Sequence, residues 1–350
     1  MGIFISLIVL SGLIFFHELG HYMAAKLMGV YVEVFSIGFG KRLLTFRKFN
    51  TEWSISLIPL GGYVRMKGQD DSDPTKKSFD ADSYNVKTPM QKIFILLAGP
   101  AFNFILAFFL YFAIALGSPK ILSPVVGEVL KESPAFVAGL ETNDTIISIN
   151  DKEIKTWKEM ADLISTSNGT LQLKIKRDGF IEYKQLTPKL RETKNMFGET
   201  IQKKMIGIGA AGVTHPLKLG VSETFTYATQ QTLLASTMIF TGVQKLLMGD
   251  VPASEMGGVI SIVKLTSDAS EDGWMSVLFF AALISVNLGV LNLLPIPALD
   301  GGHIMFNLYE LLFRREASEA VMMKFTLAGW VILFGLMGLG LFNDINRLVG

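Results

Sequence analysis

His17-Glu18-Leu19-Gly20-His21 sets two imidazoles four residues apart with a carboxylate between them, and on a helix that spacing turns both rings to one face. Two neutral imidazoles on one face can share a Zn²⁺ ion, and a glutamate beside them can take a proton from a water activated there. The chemistry implied is metal-assisted hydrolysis. A structural zinc site is the competing reading, but it would close its coordination with further protein ligands, and the chain has no cysteine to supply them. The remaining histidines are His215 and His303, so an open, catalytic site is favoured.

The surroundings of the pentapeptide sharpen this. Residues 3–16 are almost wholly apolar and residues 22–30 continue a helix-compatible run, so the polar cluster lies where polar groups are costly and mark function. Half of the 350 residues are hydrophobic, 18% are charged and the mean hydropathy is +0.41, too apolar for a soluble domain of this length. The composition predicts a polytopic α-helical membrane protein, with membrane lipid as its neighbour. A net charge of +1 gives no basic footprint, and no nucleic-acid partner is expected. The lack of cysteine also excludes disulfides and leaves the redox compartment unreadable.

Four stretches are long enough to span: residues 3–25, 93–116, 274–294 and 325–342. The first lacks the basic leader and small-residue exit of a cleaved signal peptide and reads as retained. A fifth apolar run, 232–247, is short and carries Gln244 and Lys245, which suits an amphipathic helix on the membrane surface. Lys41, Arg42, Arg47, Lys48, Arg65, Lys67, Lys76 and Lys77 in the first connection, and Arg314 and Arg315 in the last, place both loops in the cytoplasm. Both termini and residues 117–273 then lie outside, in a bacterium the periplasm. At about 1.5 Å per residue His17 sits about 20 Å below the outer end of its span, in the inner half of a core about 30 Å thick.

A third ligand is expected from Asn292-Leu-Leu-Pro-Ile-Pro-Ala-Leu-Asp300-Gly-Gly-His303, where two prolines break the third span. Irregular backbone at that depth is tolerated only when packed in protein or lining a wet cavity, and Asp300 is the candidate. Its alternative is to N-cap the helix that follows over 304–313. His303 is a rival ligand, or a hydrogen-bonding neighbour of the site.

Taken together, the HELGH of the first span, the Asn-Leu-Leu-Pro-Ile-Pro-Ala-Leu-Asp-Gly-Gly of the third and Gly99-Pro100-Ala101-Phe102-Asn103 in the second resemble the site-2 protease family of intramembrane zinc metalloproteases, nearest its bacterial regulator of sigma-E branch. The resemblance covers essentially the whole chain. It implies cleavage of single-span membrane proteins in the bacterial inner membrane, chiefly anti-sigma factors already trimmed outside it, and of leftover signal peptides. It further implies Zn²⁺ held by His17, His21 and Asp300, Glu18 as catalytic base, and Asn287 and Asn292 engaging the substrate. Packing between helices is the alternative role for the two asparagines.

Between the spans the chain changes character. Residues 125–129, 145–149, 171–176 and 181–186 read as strands, with a helix over 157–165 and a turn at Asp178-Gly179. The stretch from Ser133 to Asn150 resembles the PDZ sequence of the family, in which a sheet edge receives a peptide as an added strand. Better-known relatives carry two such domains; there is room here for one. Residues 43–49 and 53–57 alternate around Asn50-Thr51 as a hairpin, and 61–66 follow Pro59 as a further strand on the cytoplasmic side. Such an edge could hold a substrate helix once unwound, replacing its lost hydrogen bonds.

The expected organisation is a membrane core at 1–116, one PDZ-like α+β domain at 117–212, amphipathic linker helices at 213–273 and a second membrane core at 274–350. Two rival functions fit the sequence less well. A zinc transporter would spread acidic residues through the spans and carry a His-rich loop, and neither is present. A catalytically idle PDZ-bearing scaffold sits poorly with an intact Glu18, His21 and Asp300.

Overall fold

Helix α1 (Gly2–Leu27) carries no charge before Glu18 and is the first of four helices long and apolar enough to cross a membrane. A computed structural model describes residues 2–69, 78–195 and 198–349, without the side chains of Pro59 and Leu60; the expected cytoplasmic lysines Lys76 and Lys77 lie outside the described residues. The chain divides into two compact units, Met1–Ile114 with Val221–Gly350, and Ala115–Gly220.

After α1 come β1 (Val32–Lys48), β2 (Thr51–Met66) and α2 (Pro89–Leu116). The hairpin turns on Phe49 and Asn50, both at positive φ (54° and 57°), as a type I′ turn requires. Lys48 already pairs with Thr51, which moves the turn one residue back from the expected Asn50-Thr51. Gly38 and Gly40, at φ 88° and 84°, then bend β1. Residues 32–37 pair antiparallel with 62–66 on one side (Phe35 with Val64, Ile37 with Gly62). On the other side they lie beside 52–55 with residue numbers rising together (Val34 with Glu52, Ile37 with Ile55). The sheet therefore holds four segments in the order 62–66, 32–37, 51–56, 42–48, and the expected further strand is the second half of β2. Phe35, stacked on Trp53 at 4.4 Å between ring centres, is buried with Tyr22 of α1 and Ile95 of α2, which fastens the sheet to both helices.

The unit Ala115–Gly220 runs β3 (Lys120–Leu122), β4 (Val126–Val129), α3 (Pro134–Val137), β5 (Thr145–Ile149), β6 (Lys152–Glu153), α4 (Trp157–Thr166), β7 (Leu171–Arg177), β8 (Phe180–Leu186), β9 (Lys189–Lys194), β10 (Thr200–Met205), β11 (Ile208–Ala210) and β12 (Thr214–Pro216). A four-stranded sheet, β6-β5-β7-β8, packs Ile146, Leu173 and Ile175 against Met160 and Ile164 of α4. Thr156 and Glu159 close a reciprocal cap at the start of α4, and Asp178-Gly179 turns the chain with φ 51° and 89°. Inside this unit Arg177 donates to both carboxylate oxygens of the fully buried Asp144, each at 2.7 Å.

The remaining helices are α5 (Val221–Met248), α6 (Val259–Asp272), α7 (Trp274–Asn292), α8 (Asp300–Phe313) and α9 (Glu319–Val349). With α1 and α2, α7 and α9 complete the four candidate spans, matching the four stretches read from sequence but running further at the last one. The run 232–247 lies inside α5, which is not among them. Its hydroxyls fold back on their own helix, as Thr232 donates to the Ala228 carbonyl at 2.8 Å and Ser236 to that of Thr232 at 2.7 Å. Gly258 cannot cap α6 with a side chain; Asp344 of α9 does so instead, accepting from the amides of Gly258 and Ser261 at 3.0 and 3.1 Å.

Candidate metal centre

Two glycines decide where the histidines can stand. A methyl group on Gly20 would collide with the carbonyl of Ala98, and one on Gly99 would fall on the His21 ring, so only this pair lets α1 and α2 approach closely enough. At that distance His21 Nδ1 lies 2.9 Å from the Ile95 carbonyl oxygen. A carbonyl only accepts, so Nδ1 carries the ring proton and Nε2 presents its lone pair.

Asp300 comes from another element, α8. The loop 293–299 leaves α7 and folds beneath the first turn of α8, where side chains at Gly301 and Gly302 would strike the backbone of Leu293, Leu294 and Ile296. Gly329 of α9 takes Pro297 and Ala298 at similarly close range. Asp300 is the first residue of α8; the N-cap is Leu299, with no side-chain capping bond, so the capping role open to Asp300 in the sequence is not the one it fills.

These constraints bring three ligand atoms together. His17 Nε2 lies 3.2 Å from His21 Nε2, and Asp300 Oδ2 lies 3.3 and 3.4 Å from the two nitrogens. Bonds of about 2.0–2.1 Å at tetrahedral angles separate the ligand atoms of a zinc ion by about 3.3 Å. The triangle has those edges. Asp300 Oδ2 is buried and has no hydrogen-bond partner, a state that costs free energy unless a cation satisfies it. Two imidazoles and one carboxylate also leave the fourth position open.

The atoms border a cavity of about 540 Å³, which Glu18, Asn292 and His303 also line. His303 contributes no atom to the cluster of three. Asn287, half-buried on α7, is not in the lining. Tyr63 of β2, with Thr326 and Trp330 of α9, also borders the space. The strand that holds Tyr63 is legible in the sequence, but neither a strand tyrosine nor residues in an apolar span announce which side chains face the metal. Glu18 stands against β2: a side chain at Gly62 would meet Glu18 Cγ at 3.2 Å and the Ser36 carbonyl at 2.9 Å.

The sequence profile of peptidase family M50 matches residues 5–336. A protein of Campylobacter jejuni is 46% identical over 346 residues, covering 99% of this chain and 93% of its own. A protein of Helicobacter pylori is 40% identical over 353 residues (99% of each chain), and one of Clostridium acetobutylicum 32% over 345 residues (98% and 97%). All three bear the name "putative zinc metalloprotease". The chain belongs to peptidase family M50, the site-2 protease family, over nearly its whole length.

Proposed function

We propose that this chain is a zinc-dependent endopeptidase that cuts the membrane-spanning segments of single-span membrane proteins, with anti-sigma factors trimmed outside the membrane and remnant signal peptides as its substrate classes. The observation that carries this is the convergence, at zinc-ligand spacing, of Asp300 from α8 with His17 and His21 on a helix apolar and long enough to cross a bilayer. Family membership and the names of the relatives support the metal and the reaction type.

His17, His21 and Asp300 would hold the ion. When bound, zinc supplies a Lewis acid that polarises the scissile carbonyl and acidifies water beside it. Glu18 takes a proton from the attacking water as the water oxygen adds to the carbonyl carbon, then passes it to the amide nitrogen as the C–N bond breaks; the second water proton moves from the new carboxylic acid to the amine, leaving a carboxylate and an ammonium group. Gly62 leaves room for Glu18 beside the segment 62–66. That segment pairs only with 32–37 among the described strands, and it borders the same cavity. A substrate unwound from its helix can add to it as a strand, so that its freed amides find partners next to the base. Asn292, in the cavity wall, is placed to bind the same extended chain; Asn287 would act one step further along α7. We place the site near the cytoplasmic side of a bacterial inner membrane and read Ala115–Gly220 as a periplasmic PDZ domain.

The test is cleavage of a single-span substrate by the purified protein in detergent or lipid, with and without a zinc chelator. Chelator-sensitive cleavage restored by zinc supports the proposal. Zinc transport without cleavage, or cleavage indifferent to metal, refutes it.

A further inference from the structure

Helix α2 supplies none of the three ligand atoms, yet it touches both imidazoles. Ile95 fixes His21 through its backbone carbonyl, and two helical turns later Asn103 reaches His17. Asn103 is wholly buried, and its amide nitrogen Nδ2 stands 3.1 Å from His17 Nδ1. Its amide oxygen Oδ1 is buried with no hydrogen-bond partner. Its backbone is pinned from α7, where the Ser285 hydroxyl donates to the Asn103 carbonyl at 2.8 Å. The side chain is thus held against one ring nitrogen by two neighbouring helices.

The hydrogen-bond inventory of the pair allows one arrangement compatible with a metal. If Nδ2 donates to Nδ1, the proton of the neutral ring must sit on Nε2, which is the atom that faces Asp300 and His21. A protonated Nε2 cannot ligate. The two ends of an amide have nearly the same shape, and exchanging them sets Oδ1 at Nδ1. The oxygen then accepts the Nδ1 proton, gains the partner it lacks, and leaves the Nε2 lone pair free for the metal. We propose that Asn103 is a positioning residue: it accepts from His17 Nδ1 and so fixes Nε2 as the coordinating atom, as the Ile95 carbonyl does for His21. The proposal rests on His17, His21 and Asp300 as the metal ligands.

The test is zinc affinity, measured on the full-length chain in detergent by competition with a chromophoric chelator, for wild type, Asn103→Ala and Asn103→Asp. A carboxylate at 103 can only accept, so Asn103→Asp keeps the affinity within about three-fold of wild type or tightens it, whereas Asn103→Ala weakens it by about 10 to 100-fold. The visible spectrum of the cobalt-substituted protein is expected to follow the same order, altered in the alanine variant and near wild type in the aspartate one. A residue that merely filled space would be replaced without loss by Asn103→Leu, measured alongside, which keeps the volume but cannot accept a hydrogen bond, so wild-type affinity in that variant overturns the proposal. So does an alanine variant with wild-type affinity. If one variant fails to fold the other decides alone: Asn103→Asp at a ten-fold loss or worse, or Asn103→Ala at none, overturns it. A wild type that binds no zinc overturns the metal centre itself and this role with it, whereas zinc binding equal in all three chains removes only the role of Asn103.

Discussion

Glu18 shares a helical turn with both histidines but adds no atom to their cluster, so its loss should separate metal binding from turnover. Glu18→Gln keeps the size of the side chain and removes the proton acceptor. We expect near-normal zinc content with cleavage slowed by about 10² to 10⁴, measured on one preparation. Zinc loss in this variant would instead place Glu18 among the ligands. Asp300 and His303 are distinguished the other way. Asp300 Oδ2 forms one corner of the ligand triangle, whereas His303 borders the cavity without joining it. Asp300→Ala should strip most of the zinc, and His303→Ala should cost at most the 10 to 100-fold typical of a group that only supports a ligand. Metal analysis after dialysis against a weak chelator gives the ranking, and a reversed order moves the ligand assignment to His303.

The elements carrying these residues depend on glycine contacts. Gly99→Ala adds a single methyl, but that methyl falls on the His21 ring, so either the ring or the helix spacing must yield. Overpacked sites of this kind typically lose about 1–3 kcal/mol. We expect zinc affinity to drop at least ten-fold in this variant, while an alanine at Gly12, which meets nothing within 4 Å, serves as the neutral control in the same titration. Such contacts mark the limit of what the chain disclosed before folding. HELGH and the Asp300 segment were legible because metal chemistry demands particular residue types at short spacing, and the four spans because a bilayer demands length and hydropathy. The hairpin was legible in its turn, displaced by one residue, but not in its doubling: nothing local tells residues 32–37 that they will lie between two pieces of β2. Strands β3, β11 and β12, three residues each, carry too little periodicity to be seen; in β9 the run of Lys, Arg and Glu masks any alternation, and in β10 the polar run Gln202-Lys203-Lys204 does the same. The partner of His21, a backbone carbonyl, has no sequence signature at all.

At the scale of the molecule, the three ligand residues, Glu18 and every residue lining the cavity belong to Met1–Ile114 and Val221–Gly350, and none to Ala115–Gly220. The inserted unit has its own core, with Ile146, Leu173 and Ile175 fully buried, and its own ion pair between Arg177 and Asp144. It can therefore be removed without touching the chemistry. Two roles for it lead to different kinetics. If it screens substrates by size, replacing it with a short flexible linker keeps zinc content and lets the enzyme cut substrates whose large outer parts are intact. If it recruits by strand addition, the same deletion raises the apparent KM for trimmed substrate and still excludes the untrimmed one. We expect the first outcome: cleavage of the untrimmed substrate by the deletion variant alone, with kcat on the trimmed substrate little changed. An equal loss of activity on both substrates, at normal zinc content, would show that the inserted unit does not gate access.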